Sequence, residues 1–294
     1  LTCLLWPAAS AAGPLQVFAC EPEWGALTRA LGGEAVSVYD ATTALQDVHK
    51  IQPRPSLIAK FRQAKLAVCT GAELEIGWLP VLQQTAGNPA LQAGKPGMFE
   101  AYRYVEMLEV PATLDRAQGD VHPYGNPHIH TNPRNIAKVA AALANRLAQI
   151  DPARAERYHS RHRAFSQRWT EAIATWETKA EPLKNLRVIS HHKYWGYLYH
   201  WLDMQELATL EPKPAVPPSA AHLAELLQRQ RAQPAKLVIY SSYDNARPSE
   251  WLAERARIPR VKLPASVGGV AGADDLFKYF DVVLDRLLQA ANTG

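Results

Sequence analysis

Short apolar runs alternate with longer amphipathic stretches along most of the chain. Leu15 to Ala19 reads as a first strand, and Pro22 to Leu31 as a short helix stopped by Gly32 and Gly33. Ala35 to Tyr39 alternates like a second strand. A loop carrying His49 follows, then a helix over Ser56 to Ala64 and a strand over Lys65 to Cys69. Beyond Gly71 the apolar spacing predicts a helix over Leu74 to Thr85. The strand–helix–strand order predicts a parallel sheet with helices on both faces. From Gly87 to Asp120 the pattern is irregular, with Tyr102 to Leu108 as a candidate edge strand.

Two helices then follow. Ile136, Val139, Ala140, Leu143 and Leu147 recur at helical spacing, with Asn132 or Asn135 as the cap. Asp151-Pro152 restarts a second helix that runs to about Ala180, with an apolar stripe of Tyr158, Phe165, Trp169, Ile173 and Trp176. At 1.5 Å per residue it spans about 45 Å, enough to join two lobes. The stripe reads as packing rather than as a cofactor box.

The strand–helix pattern resumes after Pro182. Arg187 to Ser190 is a strand running into His191-His192, followed by a short helix through Tyr199. Ser219 to Arg231, Pro248 to Ala256 and Asp274 to Gln289 read as helices, and Lys236 to Tyr240 and Arg260 to Leu263 as strands. The expected fold class is α/β, with two lobes, each a parallel-type sheet with flanking helices, joined by one long helix. The boundaries fall at 14–150 for the N-terminal lobe, 151–184 for the linking helix and 185–294 for the C-terminal lobe.

Composition narrows the class. A hydrophobic content of 47% and a charged content of 20% are ordinary for a soluble globular protein. The net charge of +4 is spread among acids, with no basic block of the kind that binds nucleic acid. Residues 1–13, rich in apolar residues and ending in small ones, read as the remnant of a secretory signal peptide. No later stretch approaches membrane-span length. An exported, soluble monomer is the expectation.

In an oxidising compartment the pair left after Cys3, namely Cys20 and Cys69, is read as a disulfide, because each follows an apolar strand-like run. A thiolate metal site is one alternative, though two isolated cysteines with no CxxC argue against it, and two free buried thiols are the other. The stretch GDVHPYGNPHIHTNP, from Gly119 to Pro133, holds His122, His128 and His130 among three prolines. Proline restricts such a loop, and neutral imidazole is the commonest metal ligand. His49, His128 and His192 each occupy a loop comparable to those at the carboxyl ends of parallel strands, where ligands bind. Three imidazoles meeting there would hold a zinc ion.

Several segments carry a resemblance. DVHKIQPRPSLIAKFRQAKLAVCTGAELE, NPHIHTNPRNIAKVAAALANRL and SHHKYWGYL occur in the order found in the zinc and manganese periplasmic solute-binding proteins of metal ABC importers, and PPSAAHLAEL and GADDLFKYFDVVLDRL also fit. The chain resembles the zinc-uptake branch of that family over nearly its whole length. The resemblance implies His49, His128 and His192 as metal ligands, with His191 second to His192. It implies Zn2+ as cargo, a membrane permease as partner, a periplasmic location and no enzymatic activity. Family members commonly add an acidic fourth ligand after the last strand, but here KLPASVGGVAG has no carboxylate. Asp244, His122, His130 or water would have to substitute. His122 and His130 also read as a short metal-gathering loop or as plain surface.

Three imidazoles without a carboxylate favour zinc over manganese. A manganese- or iron-binding relative on the same fold is the main alternative. A secreted zinc hydrolase is the more distant one, with Glu73, Glu75 or Glu211 as its general base by residue type alone.

Overall fold

The computed structural model describes residues 13–113, 119 and 121–293. The signal-type segment therefore lies, apart from Gly13, outside the described residues. Among the described residues, seventeen principal elements form two sheets and the helices that flank them. The first half contains β1 (Leu15–Ala19), α1 (Pro22–Gly32), β2 (Val36–Asp40), α2 (Pro55–Gln63), β3 (Leu66–Cys69), α3 (Leu79–Ala86) and β4 (Met98–Glu100). Then come α4 (Pro133–Ile150) and α5 (Ala155–Ala180). The second half contains β5 (Arg187–Ser190), α6 (Gly196–Leu202), β6 (Gln205–Thr209), α7 (Ala220–Ala232), β7 (Leu237–Ser241), α8 (Ala246–Ala256), β8 (Arg260–Leu263) and α9 (Leu276–Asn292).

Both sheets are four-stranded and parallel, ordered β2-β1-β3-β4 and β6-β5-β7-β8. The two halves thus repeat one topology, with the first strand of each beside the second and third. Central strands β3 and β7 are buried throughout, as expected where helices cover both faces.

Three sequence expectations shift. The helix read over Leu74 to Thr85 begins only at Leu79. Ala72 and Glu73 both have positive φ, which a helix excludes. The Glu75 carboxylate instead accepts the Thr70 and Gly71 N–H groups, holding a turn. The edge strand lies at Met98–Glu100, where Ala67 pairs with Met98 and Cys69 with Glu100, rather than at Tyr102 to Leu108. An unanticipated strand, β6, adds an edge beside β5.

Helix α5 is 26 residues long, about 39 Å, preceded by a turn at Pro152–Arg154. Its stripe faces inward. Trp169 is fully buried against Phe165, Trp176, Phe277 and Phe280, so α5 ties the first half to α9 through edge-to-face aromatic contacts. The indole N–H groups are satisfied, Trp169 to the Pro133 carbonyl at 2.8 Å and Trp176 to Asp281 at 2.7 Å. One continuous apolar core therefore runs from Val17 and Val68 through α4 and α5 to Leu237 and Leu263.

Cys20 and Cys69 form a disulfide at the carboxyl ends of β1 and β3, with Cα atoms 4.8 Å apart. It closes a 49-residue separation, a constraint of about 4 kcal/mol on chain-entropy grounds. Directly beyond it, Glu21 and Glu75 are both almost fully buried and both accept the Thr70 N–H, at 3.2 and 2.8 Å. Burial pushes Glu75 up to about 7, and burial together with the Glu75 and Glu23 carboxyls holds Glu21 well above its ordinary value. The folded chain therefore keeps protons that the unfolded chain releases near about 4.3. Stability falls as pH climbs from there to about 7, and stays lowered above it. Glu75→Gln should melt higher than the native protein at about pH 8, with the gain shrinking toward about pH 5. Calorimetry at the two pH values checks this; a gain independent of pH contradicts it.

Candidate metal centre

Three segments end on one point between the halves. His49 lies in a single helical turn after β2, where the Asp47 carboxylate accepts the His49 N–H at 3.1 Å. Pro53 and Pro55 then start α2, with Pro55 in its first turn. His128 lies in the Pro-rich segment before α4, and Asn132, one of the two caps the sequence offers, accepts the Arg134 N–H. His192 follows β5 by two residues.

The rings form a nearly equilateral triangle. Centroids lie 5.7 Å apart for His49 and His128, 5.9 Å for His49 and His192, and 5.6 Å for His128 and His192. One nitrogen from each lies within 4.8 Å of the others, which suits a single cation. Carboxylates stand behind two of the rings. Asp47 lies 2.8 Å from Nδ1 of His49, and Glu211 lies 2.6 Å from Nδ1 of His192. An Nδ1–H donated to a carboxylate leaves Nε2 as the lone-pair nitrogen and makes it more basic, the usual second tier of a metal site. Glu211 is itself held by the Ala215 N–H at 3.0 Å.

His128 is oriented differently. Its ring stacks on Tyr194, with centroids 3.9 Å apart, and its Nδ1 is buried with no hydrogen-bond partner. Its backbone N–H donates to Asn126 Oδ1 at 3.0 Å, and Asn126 Nδ2 donates to the Lys193 carbonyl at 3.1 Å. Asn126 thereby couples the His128 loop to the strand end carrying His192.

Electrostatics differ around the triangle. Burial, and after it the His192 and His49 rings, hold His128 well below the ordinary imidazole value. Burial works against a proton on His192 too, but the Glu211 carboxylate outweighs it and its pKa lies above the usual value. Burial alone would raise Asp47, yet its bonds to His49 and Lys50 hold it far below the carboxylate range.

The remaining candidates separate. His122 lies beside the triangle, its ring 5.4 Å from His49, and with His128 and His192 it lines a cleft of about 420 Å³. His130 points away. Its Nε2 lies 2.9 Å from the Ala265 carbonyl, a buried contact between the halves, and its Nδ1 lies 3.1 Å from a Glu23 oxygen without hydrogen-bond geometry. His191 is buried next to His192 but outside the triangle. Asp244 accepts the Ser241 N–H at 2.6 Å and holds the turn after β7, and it too lies outside the group of converging atoms. Glu75 caps the Thr70 turn, and Glu211 stands behind His192 rather than over the open face, so neither occupies a general base's position.

Asp47, Asn126 and Tyr194 escaped the sequence reading as site residues. Asp47 had a visible signal, an acid two positions before a candidate histidine and able to fold back on it. Tyr194 likewise stands two positions after His192. Nothing local marks Asn126, whose bond to the second half reaches Lys193, 67 residues away.

The comparisons bear on the whole arrangement. The family described as zinc-uptake complex component A, periplasmic (ZnuA), matches residues 17–290. A metal ABC transporter substrate-binding lipoprotein, ScbA, of Streptococcus cristatus is 22% identical over 79% of this chain and 74% of that protein. The high-affinity zinc uptake system protein ZnuA of Yersinia pestis is 23% identical over 60% of each. Among solved structures, a crystal structure of ZnuA superposes with a TM-score of 0.78 at 20% identity, covering 95% of this chain and 99% of that one. The Mn-bound periplasmic metal binding protein of Candidatus Liberibacter asiaticus superposes at 0.75 with 17% identity, covering 94% and 98%. At such identities the superpositions speak for the two-lobed fold. No helix among the described residues is long and apolar enough to cross a membrane. With the family matched across nearly its full length, the chain belongs to the ZnuA family of periplasmic metal-binding components of ABC uptake systems, which are substrate-binding proteins and not enzymes.

Proposed function

We propose that this chain captures Zn2+ between its two halves, through His49, His128 and His192, and delivers it to the permease of an ABC importer from an extracytoplasmic location. The observation that carries this reading is the convergence of three ring nitrogens within 4.8 Å, two of them backed by carboxylates. Three nitrogen donors with an open fourth position suit tetrahedral zinc. Manganese prefers oxygen, and the converging atoms include none. Relatives named as zinc-uptake and zinc-binding proteins support the same choice, among them the zinc-binding lipoprotein AdcA of Streptococcus pneumoniae, 22% identical over 68% of this chain and 40% of that protein.

The fourth position faces the cleft beside His122. Water or His122 fills it, since His130 and Asp244 are committed elsewhere. A cation reached from a cleft can leave by the same route. That suits a carrier, whose cargo must be surrendered intact at a permease.

Single replacement of His49, His128 or His192 by Ala should weaken zinc binding by more than about a hundredfold, and His122→Ala only mildly. Asp47→Ala or Glu211→Ala should cost about 10–100-fold, the usual effect of removing a partner behind a ligand. Competition titration with a chromophoric chelator decides; equal, small losses at all four histidines contradict the assignment, and tighter manganese than zinc binding would move it to the manganese branch. Protons compete for the same nitrogens, so zinc affinity should fall as pH drops through about 6.5. Titrations from about pH 8 to about pH 5 check this, and an affinity flat over that range contradicts it.

A further inference from the structure

A second group of ligand-type atoms lies away from the imidazole triangle. Sγ of Cys20, Sγ of Cys69 and a carboxylate oxygen of Glu75 fall within 4.8 Å of one another, all in buried residues. Extending the β1–β3 register sets Cys20 opposite Cys69, so both sulfurs leave the sheet on the same face. That face is covered by Phe61 and Trp78. The Glu75 carboxyl and two sulfurs thus meet where strands β1 and β3 end, and among the described residues no Lys or Arg pairs with that acid.

We propose that the Cys20–Cys69 disulfide masks a second site for a soft divalent cation, with Cys20, Cys69 and Glu75 as ligands. Unmasking needs a thiol reductant. Two reductant thiols break the S–S bond, become one disulfide and leave two cysteine thiols. Binding of Zn2+ or Cd2+ then releases both thiol protons and, below about pH 7, the proton held by Glu75. Two sulfurs at 2.3 Å from a tetrahedral zinc stand about 3.8 Å apart, so the reduced pair has to open while its backbone stays in register. The two thiolates neutralise the cation and Glu75 adds an oxygen ligand, which favours tight, slowly released metal. The oxidised bond therefore confines cargo to the imidazole site, which opens on a cleft. This inference does not depend on which residues hold the transported ion.

The test uses cadmium, because only thiolate ligation gives the ultraviolet sulfur-to-cadmium charge-transfer band. The full chain is compared oxidised and after anaerobic reduction, with free thiols counted and helix content followed by circular dichroism. Expected is a charge-transfer band and one additional cadmium equivalent in the reduced protein alone, persisting in a His49→Ala background. Glu75→Gln should weaken this second equivalent at least tenfold, and Cys20→Ser should abolish the band. If reduction loosens the fold, cadmium should restore the helical signal, because metal binding and folding are then linked. Two free thiols with neither a band nor a second equivalent overturn the proposal. A band of equal affinity in Glu75→Gln does so as well, since the carboxylate would then contribute nothing. Failure of cadmium to restore a loosened fold is likewise contrary.

Discussion

Three imidazoles packed with ring centres under 6 Å apart, and no carboxylate among their converging atoms, form an arrangement that a protein interior disfavours unless a cation is to sit among them. Charging any one ring by protonation repels the others. Leaving all three neutral strands lone pairs away from donors, as the buried Nδ1 of His128 shows most plainly. The rest of the structure holds that unfavourable triangle in register. Asp47 and Glu211 fix two rings from behind, Tyr194 fixes the third by stacking, and Asn126 bridges the halves beneath them.

Such preorganisation needs a frame that does not flex. The long helix α5 and the aromatic packing around Trp169 make one core of two sheets. Buried polar contacts add to it near the site. The Ala265 carbonyl lies in hydrogen-bond reach of His130, Ser266 donates to Glu23, and Ser242 donates to the Ala44 carbonyl. Each joins the first half, or the loop before α4, to the second, and a buried polar group deprived of its partner costs about 1–3 kcal/mol. A wide swing of one lobe against the other would break several of these together. The cleft lined by His122, His128 and His192 opens beside the triangle without breaking any of these contacts.

Much of this was legible in the chain. The alternation of apolar runs and amphipathic stretches gave the parallel α/β halves, because central strands such as β3 and β7 are buried on both faces and leave no other pattern. That three histidines would meet was readable because each lies in a loop of the kind that gathers at the carboxyl ends of parallel strands. The pairing of Cys20 with Cys69 followed from their equivalent positions at strand ends. What failed to show was whatever depends on partners distant in sequence. Strand β6, QELAT, has one exposed and four half-buried residues and carries little apolar signal of its own. The helix read from Leu74 was cut short by a turn that Glu75 stabilises through Thr70 and Gly71. His130 looked like part of a surface metal-gathering loop, yet its partners are Glu23 and Ala265, more than a hundred residues away on either side.

X-ray absorption at the zinc edge, on oxidised protein loaded with one equivalent, addresses the central claim most directly. The account predicts a first shell of nitrogen and oxygen at about 2.0–2.1 Å with outer-shell scattering from three imidazoles. A sulfur shell at about 2.3 Å, or scattering from fewer than two imidazole rings, would contradict it.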